Sequence, residues 1–325
     1  MTTELIGAAG MTQELRQYYD MRLLSVAEQN LVFHRYGSKH PIPANQGKSI
    51  NLRRFEKIVV TAGSYTLVEG TPPTETQATV SSVTASISQY GQYSKISDVL
   101  ETQAIDPIIE QFVDKYGIAM AEGIDTVVRD VVDATTTIQY ADASARVGTS
   151  GVSDATGSGN YLDAAEILEA RRTLRRANAR AVEGNNYICL IHPDNAKDLF
   201  EDSDIVNAFQ YAQTRGGANP LLTGVLGDWM GVRFVETTNL SILPSNGMSG
   251  ADIYEVVMLG AEAYAVTELS ALAAKVVIHP RGSGGHSDPL EQYSTVGWKA
   301  ALTAVILNQN FLLKIYCTSS RSNAA

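Results

Sequence analysis

Only two cysteines occur in 325 residues, Cys189 and Cys317. They lie far apart and form neither a C-x-x-C pair nor a zinc-ligand spacing, which excludes a disulfide-built scaffold and suits a reducing compartment. Basic residues are in deficit: 25 Lys plus Arg against 35 Asp plus Glu gives 25 − 35 = −10. That is the wrong sign for a protein whose whole surface grips phosphates, so any basic function must be local. No apolar run approaches the ~18 residues of a membrane span, and residues 1–10 (MTTELIGAAG) lack the basic start of a secretory leader. The expectation is a soluble, non-secreted protein with no membrane partner. At 44% hydrophobic residues the chain can still bury a sizeable core, and its composition fits neither a disordered polymer nor collagen nor a coiled coil.

The patterns that carry chemistry are also missing. Asn45-Gln46-Gly47-Lys48-Ser49 has the ending of a phosphate loop, but Ile42 stands where that loop needs its first glycine, and a strand pattern follows where a helix should start. Arg281-Gly282-Ser283-Gly284-Gly285 lacks the G-x-G-x-x-G register and reads as a flexible loop. The five histidines, His34, His40, His192, His279 and His286, show no H-x-x-x-H pair that would set two ligands on one helix face. No G-x-S-x-G elbow is present. Asp98, Glu101 and Asp106 are the nearest thing to an acid/base set, and solvation or helix capping accounts for them. No catalytic, cofactor-binding or metal site is expected, and an α/β enzyme on residues 162–259 ranks last among the readings.

What is present is an order of elements. Leu15, Tyr18, Tyr19, Leu23, Val26 and Ala27 recur at helical spacing, after which His40-Pro41-Ile42-Pro43 excludes helix, so residues 1–48 read as an arm bearing one helix. Residues 49–55 (SINLRRF) and 80–90 (VSSVTASISQY) alternate like strands, with too few large apolar residues between them for a core. They predict a long two-stranded hairpin, which is marginal alone in water and must lie on something else. Asp106-Pro107 then opens a long amphipathic helix, 107–134, with Ile109, Phe112, Val113, Tyr116, Met120, Ile124, Val127, Val128 and Val131 on one face. Residues 144–160 are Gly/Ser/Thr-rich and mark a crossing.

Beyond it, helices (162–179, 195–201) alternate with strands (187–191, 232–236, 254–259), an α+β or α/β block. Residues 281–286 (RGSGGH) mark a second crossing, and 298–307 with 311–316, joined by Asn308-Gln309-Asn310, predict a closing hairpin. The one basic concentration is Arg171, Arg172, Arg175, Arg176 and Arg180. Glu169 stands at i, i+3 to Arg172, so a solvated face or a subunit contact is favoured over nucleic-acid readout.

Leu67-Val68-Glu69-Gly70-Thr71-Pro72-Pro73, Gln89-Tyr90-Gly91-Gln92-Tyr93 with Ser97-Asp98, and Ser287-Asp288-Pro289-Leu290 with Val296-Gly297-Trp298-Lys299, taken in this order of elements, resemble the major capsid proteins of tailed double-stranded-DNA bacteriophages, in the branch of a large podovirus coat protein. The resemblance spans residues 43–316. It implies the α+β Hong-Kong-ninety-seven capsid fold: an N-arm (1–48), an extended hairpin or E-loop (49–91), a peripheral P-domain (92–160) with a spine helix (107–134), an axial A-domain (161–285), and a P-domain return with the closing hairpin (286–325). It further implies self-assembly as hexamers and pentamers into an icosahedral virion shell, built in the bacterial cytoplasm around double-stranded DNA without sequence-specific contacts. Scaffolding, portal and decoration proteins are the implied partners. Arg53, Arg54, Glu56, Lys57, Tyr65 and Glu69 are the expected hairpin contacts, and the arginine helix a further contact or inner-face element. An encapsulin-like compartment shell and another phage assembly protein, such as a tail tube, remain the alternatives.

Overall fold

A computed structural model describes residues 31–43, 47–55, 58, 69–71, 75, 77–103, 108–141, 160–212, 227–245, 252–269, 274–282 and 289–320. The arm enters as one helical turn, α1 (Phe33–Tyr36), followed by β1 (Ser38–Lys39). Its anchoring is specific: Phe33 is fully buried, Tyr264 Oη donates to the Phe33 carbonyl, and His34 N donates to Asp125 Oδ1 at 3.0 Å. The helix expected near residues 12–27 lies outside the described residues.

The hairpin is β2 (Ser49–Phe55) against β3 (Val80–Ser86), antiparallel and paired from Ser49↔Ser86 to Phe55↔Val80. The run expected as one strand over 80–90 divides at Ile87. There the side chain turns into a small core with Ile42 and Ala301, and β4 (Ser88–Ser97) starts in a different sheet. A short helix, α2 (Asp98–Gln103), follows, then the long helix α3 (Ile108–Val132), roughly 38 Å at 1.5 Å per residue. Val113, Tyr116, Met120, Ile124, Val128 and Val132 bury at steps of three and four, which is why this segment is a helix with one committed face. Its expected Asp106-Pro107 start is outside the described residues.

Next come β5 (Ile138–Tyr140), α4 (Ala164–Arg176), β6 (Tyr187–Ile191), α5 (Pro193–Glu201), α6 (Ser203–Ala212), β7 (Asp228–Trp229), β8 (Val232–Glu236), β9 (Ile242–Leu243), β10 (Ile253–Leu259), β11 (Tyr264–Glu268), β12 (Lys275–His279), β13 (Tyr293–Ile306) and β14 (Leu312–Cys317). Asp163 caps α4 by accepting from Glu166 N at 2.8 Å.

The strands form two main sheets. In the first, β13 pairs with β4 along one edge, with β12 and β11 along the other, and β1 joins β11 in parallel. Val296, Trp298, Ala300 and Leu302 of β13 bury into the core that α3 covers, and the Trp298 ring lies over α3 at Gly123. Trp298 is therefore a core residue. In the second sheet β10 lies between β14 and β6, with β5 beyond β14 and β8 beyond β6. All seven residues of β10 are buried: Val257 and Leu259 join the core shared with α3, while Tyr254, Val256 and Met258 join the core under α4. Both cysteines lie in this second core, free, with burial pushing their thiols up.

One expectation is corrected here. The two closing strands do not pair as a hairpin: β13 belongs to the first sheet and β14 to the second. Both are apolar enough to be central strands, and each gains strand neighbours on both edges by entering a different sheet across the turn at Gln309–Phe311. The last strand thus fastens the two layers together.

Candidate assembly surface

The hairpin has two unlike faces. Ile50, Leu52 and Arg54, with Ser81, Val83 and Ala85 opposite, are half-buried or buried toward the body; Ser49, Asn51, Arg53 and Phe55, with Val80, Ser82, Thr84 and Ser86, face out. At the far end of the outer face Phe55 is 76% exposed and its cross-strand partner Val80 47% exposed. There an aromatic and a β-branched side chain stand side by side in water, the apolar end of an otherwise polar face.

Of the six contact residues expected here, Arg53 is exposed on that outer face, while Arg54 turns inward and its Nη1 donates to the Leu307 carbonyl at 2.9 Å. Arg54 thereby ties the hairpin to its own subunit close to that far end. Glu69 stands exposed in a turn whose next residue, Gly70, has φ +80°. Glu56, Lys57 and Tyr65 lie outside the described residues. From residue 58 to residue 94 the chain contains no Lys or Arg, and it carries Glu69 and Glu75, both exposed.

A second surface was not foreseen. On the face of the first sheet turned away from α3, three cross-strand rows run over β12, β13 and β4: His279–Thr295–Lys95, Val277–Gly297–Tyr93 and Lys275–Lys299–Gly91. The three lysines form no ion pair among the described residues, no acid stands in these rows, and Tyr93 is 68% exposed. Lys95 lies 4.4 Å from the centre of the Tyr293 ring, an added hold on its ammonium. Two glycines make the floor of this groove of about 520 Å³. A Cβ on Gly297 would sit 2.6 Å from the Gln92 carbonyl, and one on Gly91 2.7 Å from that of Trp298. The available signal was the alternation of 295–299 and 89–95; which of their two faces stays open is decided by α3, a tertiary contact.

The arginine cluster is only partly a helix face. Arg172 pairs with Glu169 as the i, i+3 spacing requires, Nε to Oε2 at 2.8 Å. Arg175 and Arg176 are exposed, but α4 ends at Arg176 and the chain turns at Asn178 (φ 58°), so Arg180 leaves the i, i+4 stack and stands exposed on the next segment. Arg171 lies against Gly231, which has φ +76° and would press a Cβ to 3.1 Å from the guanidinium. Among the described residues no group of three or more His, Cys, Asp or Glu could hold a metal, and no helix is long and apolar enough to cross a membrane.

Two kinds of comparison give a consistent result. A family model described as phage capsid protein matches residues 80–312. The fold is similar to the capsid of cyanophage Pam1 (TM-score 0.66, 15% identity, 92% of this chain and 93% of that one) and to the capsid of Ralstonia phage GP4 (TM-score 0.66, 14% identity, 89% of each chain). It is also similar to a virus-like particle from Pyrococcus furiosus (TM-score 0.51, 12% identity, 93% of this chain and 99% of that one). At such identities these likenesses establish the fold. No curated protein sequence matches the chain.

Proposed function

The chain belongs to the phage capsid protein family and is a structural subunit of a virion shell, and from that premise we propose that it assembles as hexamers and pentamers into a closed icosahedral shell around double-stranded DNA, with the hairpin of each copy seated on the lysine-bearing sheet face of its neighbour. The observation that carries this is complementarity. A hairpin that leaves Phe55 in water, and whose outer half has acids and no bases, belongs to the same chain as an open face with three lysines and no acid. Glu69 and Glu75 of one copy pair with Lys95, Lys275 and Lys299 of the next, Tyr93 packs on the incoming ribbon, and Arg53 contacts it from the ribbon side. Burying the Phe55 ring adds about 2 kcal/mol per contact. Because each copy gives a hairpin and receives one, the contact is heterologous, and rotation closes it into rings.

The domain division follows the same reading: arm 1–48, hairpin 49–91, P-domain 92–160 and 286–325, A-domain 161–285, with the correction that β14 serves the A-domain sheet. The role is structural and not catalytic. Arg175, Arg176 and Arg180 are further contact residues, and scaffolding, portal and decoration proteins complete the set of partners. The compartment-shell alternative is not favoured, because the family model that matches is that of phage capsids.

The test is a charge exchange. Lys95→Glu with Lys299→Glu abolishes shells in electron micrographs of the purified protein, and Glu69→Lys with Glu75→Lys in the same chain restores them. Normal shells from the lysine pair of substitutions alone contradict the proposed seat.

A further inference from the structure

Where α3 ends and the second sheet begins, more charge is buried than is paired. Glu255 of β10 and Lys314 of β14 are each 4% exposed and lie on the sheet face turned toward the helix terminus. Lys314 Nζ donates to the main-chain carbonyl of Asp133 at 2.8 Å and to Glu255 Oε1 at 3.3 Å, with the Tyr316 ring centre 4.9 Å away. The Asp133 carboxylate is left over. Its Oδ2 is 3.7 Å from Arg129 Nε, and its Oδ1 is buried with no hydrogen-bond partner among the described residues. The Arg129 guanidinium is drawn toward Asp130, 2.7 Å from its Oδ1, and also donates to Asn239 Oδ1 at 3.1 Å. The buried Glu255 and the half-buried Asp133 therefore share one lysine, with Arg129 a second and more distant cation for Asp133.

The turn that follows is the joint between the two layers. Thr135 Oγ1 and Thr136 N donate to Gln309 Oε1 at 3.0 and 3.1 Å, Thr137 Oγ1 donates to the Gln309 carbonyl at 2.8 Å, and Lys314 N donates to the Thr137 carbonyl at 3.0 Å. We propose that Asp133 is a proton-controlled latch on this joint: protonated, the carboxyl sits in its place at a smaller penalty than when charged; ionised, it is stranded beside Glu255 and the joint opens more readily. Burial, and then repulsion by Glu255, push Asp133 up to about 7, against the pull of Lys314 and Arg129 and with a small further push from Asp130.

The direction follows from linkage. The closed joint holds a proton that the open, hydrated carboxyl, with its ordinary value of 3.8, releases. Opening therefore becomes easier as pH rises from about 4 to about 7, by up to about tenfold per pH unit, and levels off above. The latch goes beyond the shell reading and does not rest on it, since its readout lies within one subunit.

Hydrogen exchange of the full-length protein, followed by mass spectrometry over residues 133–141 and 312–317 from pH 5 to 9 and corrected for intrinsic exchange, tests it. The wild type loses protection by about tenfold per unit up to about pH 7 and then holds constant. Asp133→Asn, isosteric with the protonated acid, gives a flat profile, and Glu255→Gln moves the break to lower pH. A flat wild-type profile, or an unchanged slope in Asp133→Asn, overturns the latch.

Discussion

Asp125 sits on α3 fully buried, with Oδ1 accepting from His34 N at 3.0 Å and Oδ2 from Asn239 Nδ2 at 3.2 Å. Burial pushes its carboxyl up, and these two donors, one from the arm and one from the loop after β8, oppose that push. Asp125→Ala leaves both donors unsatisfied and is expected to cost about 2–3 kcal/mol, read from urea unfolding of the subunit; a change under about 0.5 kcal/mol would remove the arm anchor from the account. Glu268 behaves in the opposite sense to Asp133. Its hydrogen bond with His34 holds it below the ordinary 4.5, so the stability it adds is present above that value and is lost as pH falls through its depressed one. The arm anchor thus weakens in acid while the Asp133 joint tightens. Gly297→Ala has no room for its methyl, because the obstacles are the Gln92 carbonyl and the Tyr93 backbone and Cβ, which cannot swing aside. It is expected to destabilise by about 1–3 kcal/mol in the same unfolding measurement.

Among the elements, those with a local cause were legible. β2 at Ser49–Phe55, β6 at Tyr187–Ile191 and β8 at Val232–Glu236 match the expected spans, and α3 differs from 107–134 only at its ends. Each has a period or an unbroken apolar run that one stretch of chain states by itself. The partners of those elements were not legible. Nothing local separates a β13–β14 hairpin from two strands in two sheets, because both arrangements need the same apolar pattern; what decides is the pair of edge neighbours each strand obtains. The break at Ile87 is of the same kind: alternation continues through it, and only its contact with Ile42 and Ala301 turns the chain. Of the candidate site, Arg53 and Glu69 were legible as exposed hairpin residues. Arg54, expected as a contact residue, turns inward and donates to the Leu307 carbonyl of its own subunit. Lys95, Lys275 and Lys299 were unreadable as a group, since 204 residues separate Lys95 from Lys299 (299 − 95) and only the β4–β13 and β12–β13 registers bring them into line.

At the scale of the whole molecule, a subunit with two covered sheets still leaves its hairpin and one sheet face bare. The deficit is symmetrical: what projects from one copy has the charge and the apolar end that the open face of another lacks. On the proposed seating, association contributes part of the free energy that a solitary ribbon does not have. The net charge of −10 makes free subunits repel one another, and the proposed seating places electrostatic selectivity in the local lysine rows. The most direct measurement of this claim removes residues 56–79 and examines the purified protein by negative-stain electron microscopy with light scattering across a concentration series. The account predicts closed shells or capsomer rings from the full chain and a folded monomer with no shell from the truncated one. Closed shells from the truncated chain would contradict it.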